Sequence, residues 1–233
     1  MNKRAIILAG GKGTRLKPYT ISMPKPLVPI GDIPILEIII LQLKKYGFDH
    51  ITITVNHMAD IIKAFCGNGS KWSIKIDYSL EQKPLSTMGP LTLINDLPEN
   101  FLVMNGDVLT DLNFENFYEE HVKRDSNFSI ASFRRKDKVE YGVLIQNDKS
   151  QLIDFKEKPT NDYLVSMGVY MMNRKNLSVI PHDTFFGFDH LMSALISSYN
   201  YPNIYEFNGY WLDIGRPSDY EKAIEEFSDK IFL

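Results

Sequence analysis

A single cysteine, Cys66, in 233 residues leaves no partner for a disulfide and too few thiolates for a metal cluster within the chain. No apolar run approaches the roughly 20 residues that a membrane-spanning helix requires. The first core-like stretch starts after three residues, which leaves no space for a secretory leader. An excess of charge is also missing. With 26 basic and 29 acidic residues the formal net charge is −3, so neither nucleic acid nor an anionic membrane is favoured as a partner. His50, His57, His121, His182 and His190 lack neighbours at metal-ligand or general-base spacing and read as surface or helix-face residues. There is no internal repeat, low-complexity tract or linker. A soluble cytoplasmic protein is the default expectation, and nothing in the sequence encodes its oligomeric state.

What is present is concentrated in the first thirty residues. Ala5-Ile6-Ile7-Leu8-Ala9 reads as a buried strand of a parallel sheet. It runs into Gly10, Gly11 and Gly13, a turn in which backbone N–H groups can approach an anion without a side chain in the way. Arg15 and Lys25 supply the positive charge a polyphosphate needs. The spacing fits neither common phosphate loop. Lys12 sits between glycines rather than closing the loop before a helix, as a Walker A motif requires, and Leu16 stands where a Rossmann fingerprint needs its third glycine.

Alternation continues beyond the loop. Helices are predicted over Ile35–Lys45 (stopped by Gly47), Asp60–Phe65 and Met88–Leu97, with strands at Ile51–Val55, Ile74–Tyr78 and Phe101–Asn105. This order predicts a doubly wound, mostly parallel α/β sheet of Rossmann-like type, with ligands outside the carboxyl ends of the strands. The second half is less regular. It reads as a helix at Phe114–Arg124, a strand at Phe128–Phe133, a hairpin of Tyr141–Ile145 with Leu152–Phe155, a strand at Val165–Met172 and a helix at Phe188–Tyr199. A strand pair around Ile204-Tyr205 and Trp211-Leu212 and a helix from Pro217 to Phe227 close the chain. One domain over 1–233 is expected, in two halves, 1–112 and 113–233, the second with a smaller β subregion.

Two carboxylates stand out. Asp107 follows a buried strand in Asn105-Gly106-Asp107, where packing gives no reason for charge. Asp213 follows an apolar pair in Trp211-Leu212-Asp213-Ile214-Gly215-Arg216-Pro217. A triphosphate normally brings Mg²⁺, which takes one or two carboxylates and keeps several waters.

The stretch L-A-G-G-x-G-T-R-L-x-P-x-T-x-x-x-P-K-P-L resembles, almost residue for residue, the signature of the sugar-1-phosphate nucleotidyltransferases. The resemblance runs from Ala5 to about Tyr220 and looks closest to mannose-, heptose- and hexosamine-1-phosphate guanylyltransferases. It implies transfer of a nucleotidyl group from an NTP to a sugar 1-phosphate, with the two substrates as partners and Mg²⁺ as cofactor. It implies Arg15 and Lys25 as catalytic, Asp107 and Asp213 as metal ligands, and Leu8, Ala9, Gly10, Gly11, Gly13, Thr14, Arg15, Glu81, Ser86 and Thr87 around the nucleotide. For the sugar phosphate it implies Gly106, Tyr141, Gly142 and Gly168, with Glu157 and Lys158 from the F-x-E-K-P motif on hydroxyls and phosphate. The resemblance implies a nucleotide-binding half, 1–112, and a sugar-phosphate-binding half, 113–233; with no hexapeptide array in the sequence, the β-helix that some relatives append is not expected.

Glu81 to Gly89 aligns with the base-recognition loop, with Ser86 and Met88 where small residues are usual. Ser86 is expected to hold φ below zero or to displace the pocket slightly. Glu81 when ionised only accepts hydrogen bonds, which suits the N1–H and exocyclic amine of guanine. Gln82, one position on, is the alternative reader and would restore a pyrimidine.

Overall fold

The computed structural model describes residues 3–226. The apolar run after the N-terminus forms β1 (Lys3–Leu8), buried from Arg4 to Ile7. A small antiparallel pair, β2 (Pro29–Ile30) and β3 (Ile33–Pro34), delivers the chain into α1 (Ile35–Lys45). The isoleucines of α1 are fully buried, and Gly47 at φ +77° releases the chain after it. There follow β4 (Phe48–Val55), α2 (Ala59–Cys66), β5 (Lys75–Leu80), β6 (Asn100–Asn105) and the short β7 (Val108–Thr110). The second half contains α3 (Phe114–Lys123), β8 (Phe128–Lys138), a hairpin of β9 (Val143–Gln146) and β10 (Leu152–Lys156), and β11 (Thr160–Asn173). It ends with α4 (Phe188–Ser197), β12 (Asn203–Phe207), β13 (Trp211–Asp213) and α5 (Pro217–Glu226).

Seven strands form one sheet in the order β12-β8-β11-β6-β1-β4-β5. Only β11 runs against the others. The chain winds outward from β1 through β4 to β5, then returns to the other side of β1 as β6. The switch point of the sheet therefore lies between the carboxyl ends of β1 and β6, at Leu8 and Asn105, where open α/β sheets place their ligands. Alternate residues feed two cores. Ala5 and Ile7 face a large cluster with α1, Ile51, Ile53 and Phe117, while Ile6 faces a smaller one with Phe101, Val103, Phe128, Leu191 and Leu195.

Four features differ from the sequence reading. Instead of a helix over Met88–Leu97 there is a 3₁₀ turn, Gly89–Leu93, with bonds from Leu91 to Met88 and from Ile94 to Leu91. The amides of Met88 and Gly89 both donate to Phe186 O, and the turn's own bonds are of the i→i+3 type, so the segment stays a single 3₁₀ turn. The Ile204 and Trp211 strands do not pair with each other. β12 joins the main sheet beside β8, and β13 pairs with β7, aligning Asp213 with Val108. β8 and β11 run well beyond the sheet as a two-stranded ribbon, Phe133–Lys138 against Thr160–Val165, which carries the β9–β10 hairpin. His50 and His121 are not free surface groups: His50 pairs with Asp77, and His121 is buried against Ser129 and Asn100. The predicted end of the last helix at Phe227 lies outside the described residues.

Candidate active site

The glycine turn leaves the end of β1 over a cleft of 430 Å³. Leu8, Gly10, Gly11, Lys12, Glu81, Ser86, Thr87, Asn105 and Asp107 line it, together with Thr54 and Asn56 at the end of β4. A Cβ on Gly10 would meet Glu81 Oε1, so any larger residue there has to displace the Glu81 carboxylate. Gly13 is required by its turn. It sits at φ +61° and its carbonyl accepts from Thr20 Oγ1 at 2.8 Å, which fixes the 3₁₀ turn Thr14–Leu16 and so the position of Arg15.

Glu81 is 7% exposed, and its Oε2 accepts from the Leu85 amide at 3.3 Å. Burial raises its pKa, partly offset by that bond. Gln82 is exposed and does not line the cleft, so of the two possible base readers the fold presents Glu81. Ser86 does not hold φ below zero, the first of its two expected courses. It adopts φ +65°, the left-handed conformation that glycine would adopt without strain. Thr87 is committed to structure, since its Oγ1 accepts from the Phe188 amide at 2.8 Å and caps α4. Met88 points away from the cleft into the smaller core, fully buried.

Asp107, on the first cleft, and Asp213, on a second, are electrostatic neighbours. Lys25 pairs with Asp107 Oδ2, while Asp107 Oδ1 is buried without a hydrogen-bond partner. Ile214 N donates to Asp107 O at 3.1 Å, which ties the two segments together. Desolvation, then the charge of Asp107, raise the Asp213 pKa from 3.8 to about 6 against the pull of Lys25 and Arg15. Two carboxylates too close to share full charge, one with an idle oxygen, fit a divalent cation. Among the described residues no cluster of three or more acidic, His or Cys side chains competes for that role.

Asp213 and Arg15 open on a second cleft of 560 Å³, whose other walls include Phe133, Arg135, Lys136, Trp211 and Arg216. Gly106 donates to Leu8 O at 3.0 Å beside the carboxylates. Gly168, at φ +73° in a β11 bulge, lies under Asn105, whose Nδ2 would be 2.6 Å from a Cβ at that position. Tyr141, Gly142, Glu157 and Lys158 are grouped with one another on the exposed hairpin, and line neither cleft; Tyr141 is 79% exposed. Asn56, Thr54 and Asn105 were not singled out from the sequence. Each sits at the carboxyl end of a parallel strand, which was the available signal, and Thr54 Oγ1 is buried without a partner.

The nucleotidyl transferase family model matches residues 4–230. The chain is 31% identical to mannose-1-phosphate guanyltransferase of Aspergillus oryzae over 93% of its own length, and spans 62% of that relative. It is 32% identical to D-glycero-alpha-D-manno-heptose 1-phosphate guanylyltransferase of Aneurinibacillus thermoaerophilus, covering 97% of this chain and 99% of that one. The crystal structure of HddC from Yersinia pseudotuberculosis superposes with a TM-score of 0.76 at 30% identity, over 97% of this chain and 100% of the other. A second HddC structure, complexed with GMP-PN, matches with a TM-score of 0.75 at 29% identity. No helix among the described residues is long and apolar enough to cross a membrane. With the glycine turn, the paired aspartates and the matched span in agreement, the chain belongs to the nucleotidyl transferase family.

Proposed function

We propose that this chain transfers a nucleotidyl group from GTP to a sugar 1-phosphate, giving a GDP-sugar and pyrophosphate. The observation that carries the reading is the pairing of Asp107 with Asp213 at the switch point, beside the glycine turn and Lys25. An oxygen of the sugar phosphate, already ionised at neutral pH, attacks the α-phosphorus in line, and the bond to the β-phosphate oxygen breaks. No general base is needed, so catalysis reduces to positioning and charge neutralisation. Asp107 and Asp213 would hold Mg²⁺, whose contribution when bound is neutralisation of phosphate charge. Arg15 and Lys25 stabilise the leaving pyrophosphate, and the amides of Gly10 to Gly13 receive its oxygens. Lys158 and Glu157 hold the sugar phosphate and its hydroxyls, a role that requires the hairpin to approach Gly106.

Glu81 reads the base. A desolvated carboxylate regains its lost hydrogen bonds from the two donors of a guanine edge, whereas a uracil edge sets carbonyl oxygens beside its single N–H. The guanylyl activities named for the similar proteins support this choice.

The test is Mg²⁺-dependent pyrophosphate release with GTP, UTP, dTTP, CTP and ATP against mannose, glucose, glucosamine and heptose 1-phosphates. Release with GTP alone, lost in Glu81→Gln, is the expected outcome. Release with a pyrimidine triphosphate would keep the transfer and remove Glu81 as the reader. Silence across the grid in protein that still binds nucleotide would point to a nucleotide-sugar sensor.

A further inference from the structure

The second cleft carries more positive charge than the roles above use. Five cations face it, Arg15, Arg135, Lys136, Arg216 and Lys222, against the acids Asp137, Asp213 and Asp219. Some of this charge is already answered. Arg135 donates to Asp137 at 2.7 Å, and Lys222 lies 3.8 Å from Glu226. Asp219 is occupied too: its Oδ2 accepts from the amides of Gly215 at 3.2 Å and Arg216 at 2.8 Å, which caps the start of α5. The side chains of Lys136 and Arg216 have no carboxylate within ion-pair distance among the described residues. Arg216 adjoins Gly215, and a Cβ on Gly215 would lie 3.9 Å from Arg15 Nη2, so the two guanidinium groups share one wall.

The two carboxylates separate the clefts: Asp107 lines the first, with Glu81 and the glycine turn, and Asp213 lines the second, with Arg15. In an in-line displacement the nucleophile approaches the α-phosphorus on the side opposite to the one from which the leaving group departs. Gly168 and Asn105 flank the first cleft. Arg15, which the proposed function places on the leaving pyrophosphate, lines the second cleft, so the pyrophosphate leaves the glycine turn in that direction.

Resting on the reading of this chain as a nucleotidyltransferase, we propose that Arg216, with Lys136, extends the pyrophosphate-binding site beyond Arg15. When the Pα–O–Pβ bond breaks, its electron pair passes to the β-phosphate oxygen, and the pyrophosphate gathers negative charge. A planar guanidinium grips two phosphate oxygens at once, and Lys136 adds a point charge at the mouth. Both hold product and bound triphosphate without touching the base or the sugar.

Titration calorimetry with inorganic pyrophosphate and Mg²⁺ tests this without knowledge of the sugar. Arg216→Met is exposed enough to fold, which thermal melting would verify. It should weaken pyrophosphate about tenfold, the loss expected for one charge-assisted hydrogen bond pair. Arg216→Lys should recover part of that loss, and adding Lys136→Met to Arg216→Met should weaken binding further. Pyrophosphate binding that is equal in wild type and Arg216→Met would overturn the proposal, as would absence of binding in both. A loss seen for mannose 1-phosphate but not pyrophosphate would also overturn it and assign the cleft to the acceptor. Failure of the transfer reading shows itself separately, as absence of turnover in wild type that binds pyrophosphate normally.

Discussion

Asp213→Asn should stabilise the metal-free protein at neutral pH while abolishing its chemistry. Folding raises the Asp213 pKa from 3.8 to about 6, so the folded state holds this proton more tightly than the unfolded chain. The stability that proton confers is complete below about pH 4 and is lost as pH rises through about 6. A two-unit rise corresponds to at most about 3 kcal/mol. Asp213 is exposed to the solvent of the second cleft, so screening reduces this to roughly 1 kcal/mol. For a chain of this size that is about 2–4 °C in Tm. Thermal melts in EDTA from pH 4.5 to 8 should therefore show the variant gaining on wild type as pH rises. Asp107→Asn removes the same charge but leaves Lys25 without its partner in a half-buried position, and should lower Tm instead. A variant–wild-type difference that does not change with pH, or a less stable Asp213→Asn at pH 8, would refute the reasoning.

Other substitutions test other parts of the site. Gly10→Ala pushes Glu81 aside, and should raise the KM for GTP by about tenfold or more with a smaller effect on the KM for the sugar phosphate, measured by initial rates. Arg15→Met should lower kcat by roughly 10²–10³ with the melting temperature little changed, and Lys25→Met should lower kcat similarly but also lower Tm, because it strips Asp107 of its ion-pair partner; near-normal turnover would remove either from the mechanism. Ser86→Gly relieves a left-handed serine and should stabilise by up to about 1 kcal/mol in urea titration, whereas Ser86→Val should destabilise. Burial lowers the His121 pKa from 6.5 to about 4, so the unfolded state takes up the proton first and wild type loses stability as pH falls from 6.5 toward 4. That slope should flatten in His121→Gln.

The order of strands and the approach of the glycine turn to Asp107 were legible because both follow from local signals. Buried β-branched runs name the strands, and a glycine turn at the end of the first one names the ligand side of the sheet. Asp213, about a hundred residues from Asp107, was legible only through its motif; β13 pairing with β7 is what makes it a neighbour. What the sequence concealed was tertiary. Met88 looks like an intruder in a binding loop until the smaller core beneath it is seen. Ser86 keeps a positive φ because the amides of Met88 and Gly89 and the carbonyl of Leu85 are pinned to the Phe186 segment, which decides the backbone over local preference. Arg4 gave no signal at all. Its buried guanidinium is satisfied by Thr52 and by the Asp96 carbonyl and carboxylate, a pattern no spacing rule predicts.

The ribbon of β8 and β11 holds the β9–β10 hairpin away from both cores, and every residue of β10 is exposed. Few buried contacts would be lost if the segment between Val139 and Pro159 were rewritten, and those two residues already clasp each other through a 2.9 Å backbone bond at its root. The hairpin is thus an exchangeable module. Under the proposed function, selection can vary the end of the molecule assigned to the acceptor at little cost to folding, while the frame around the glycine turn stays as it is.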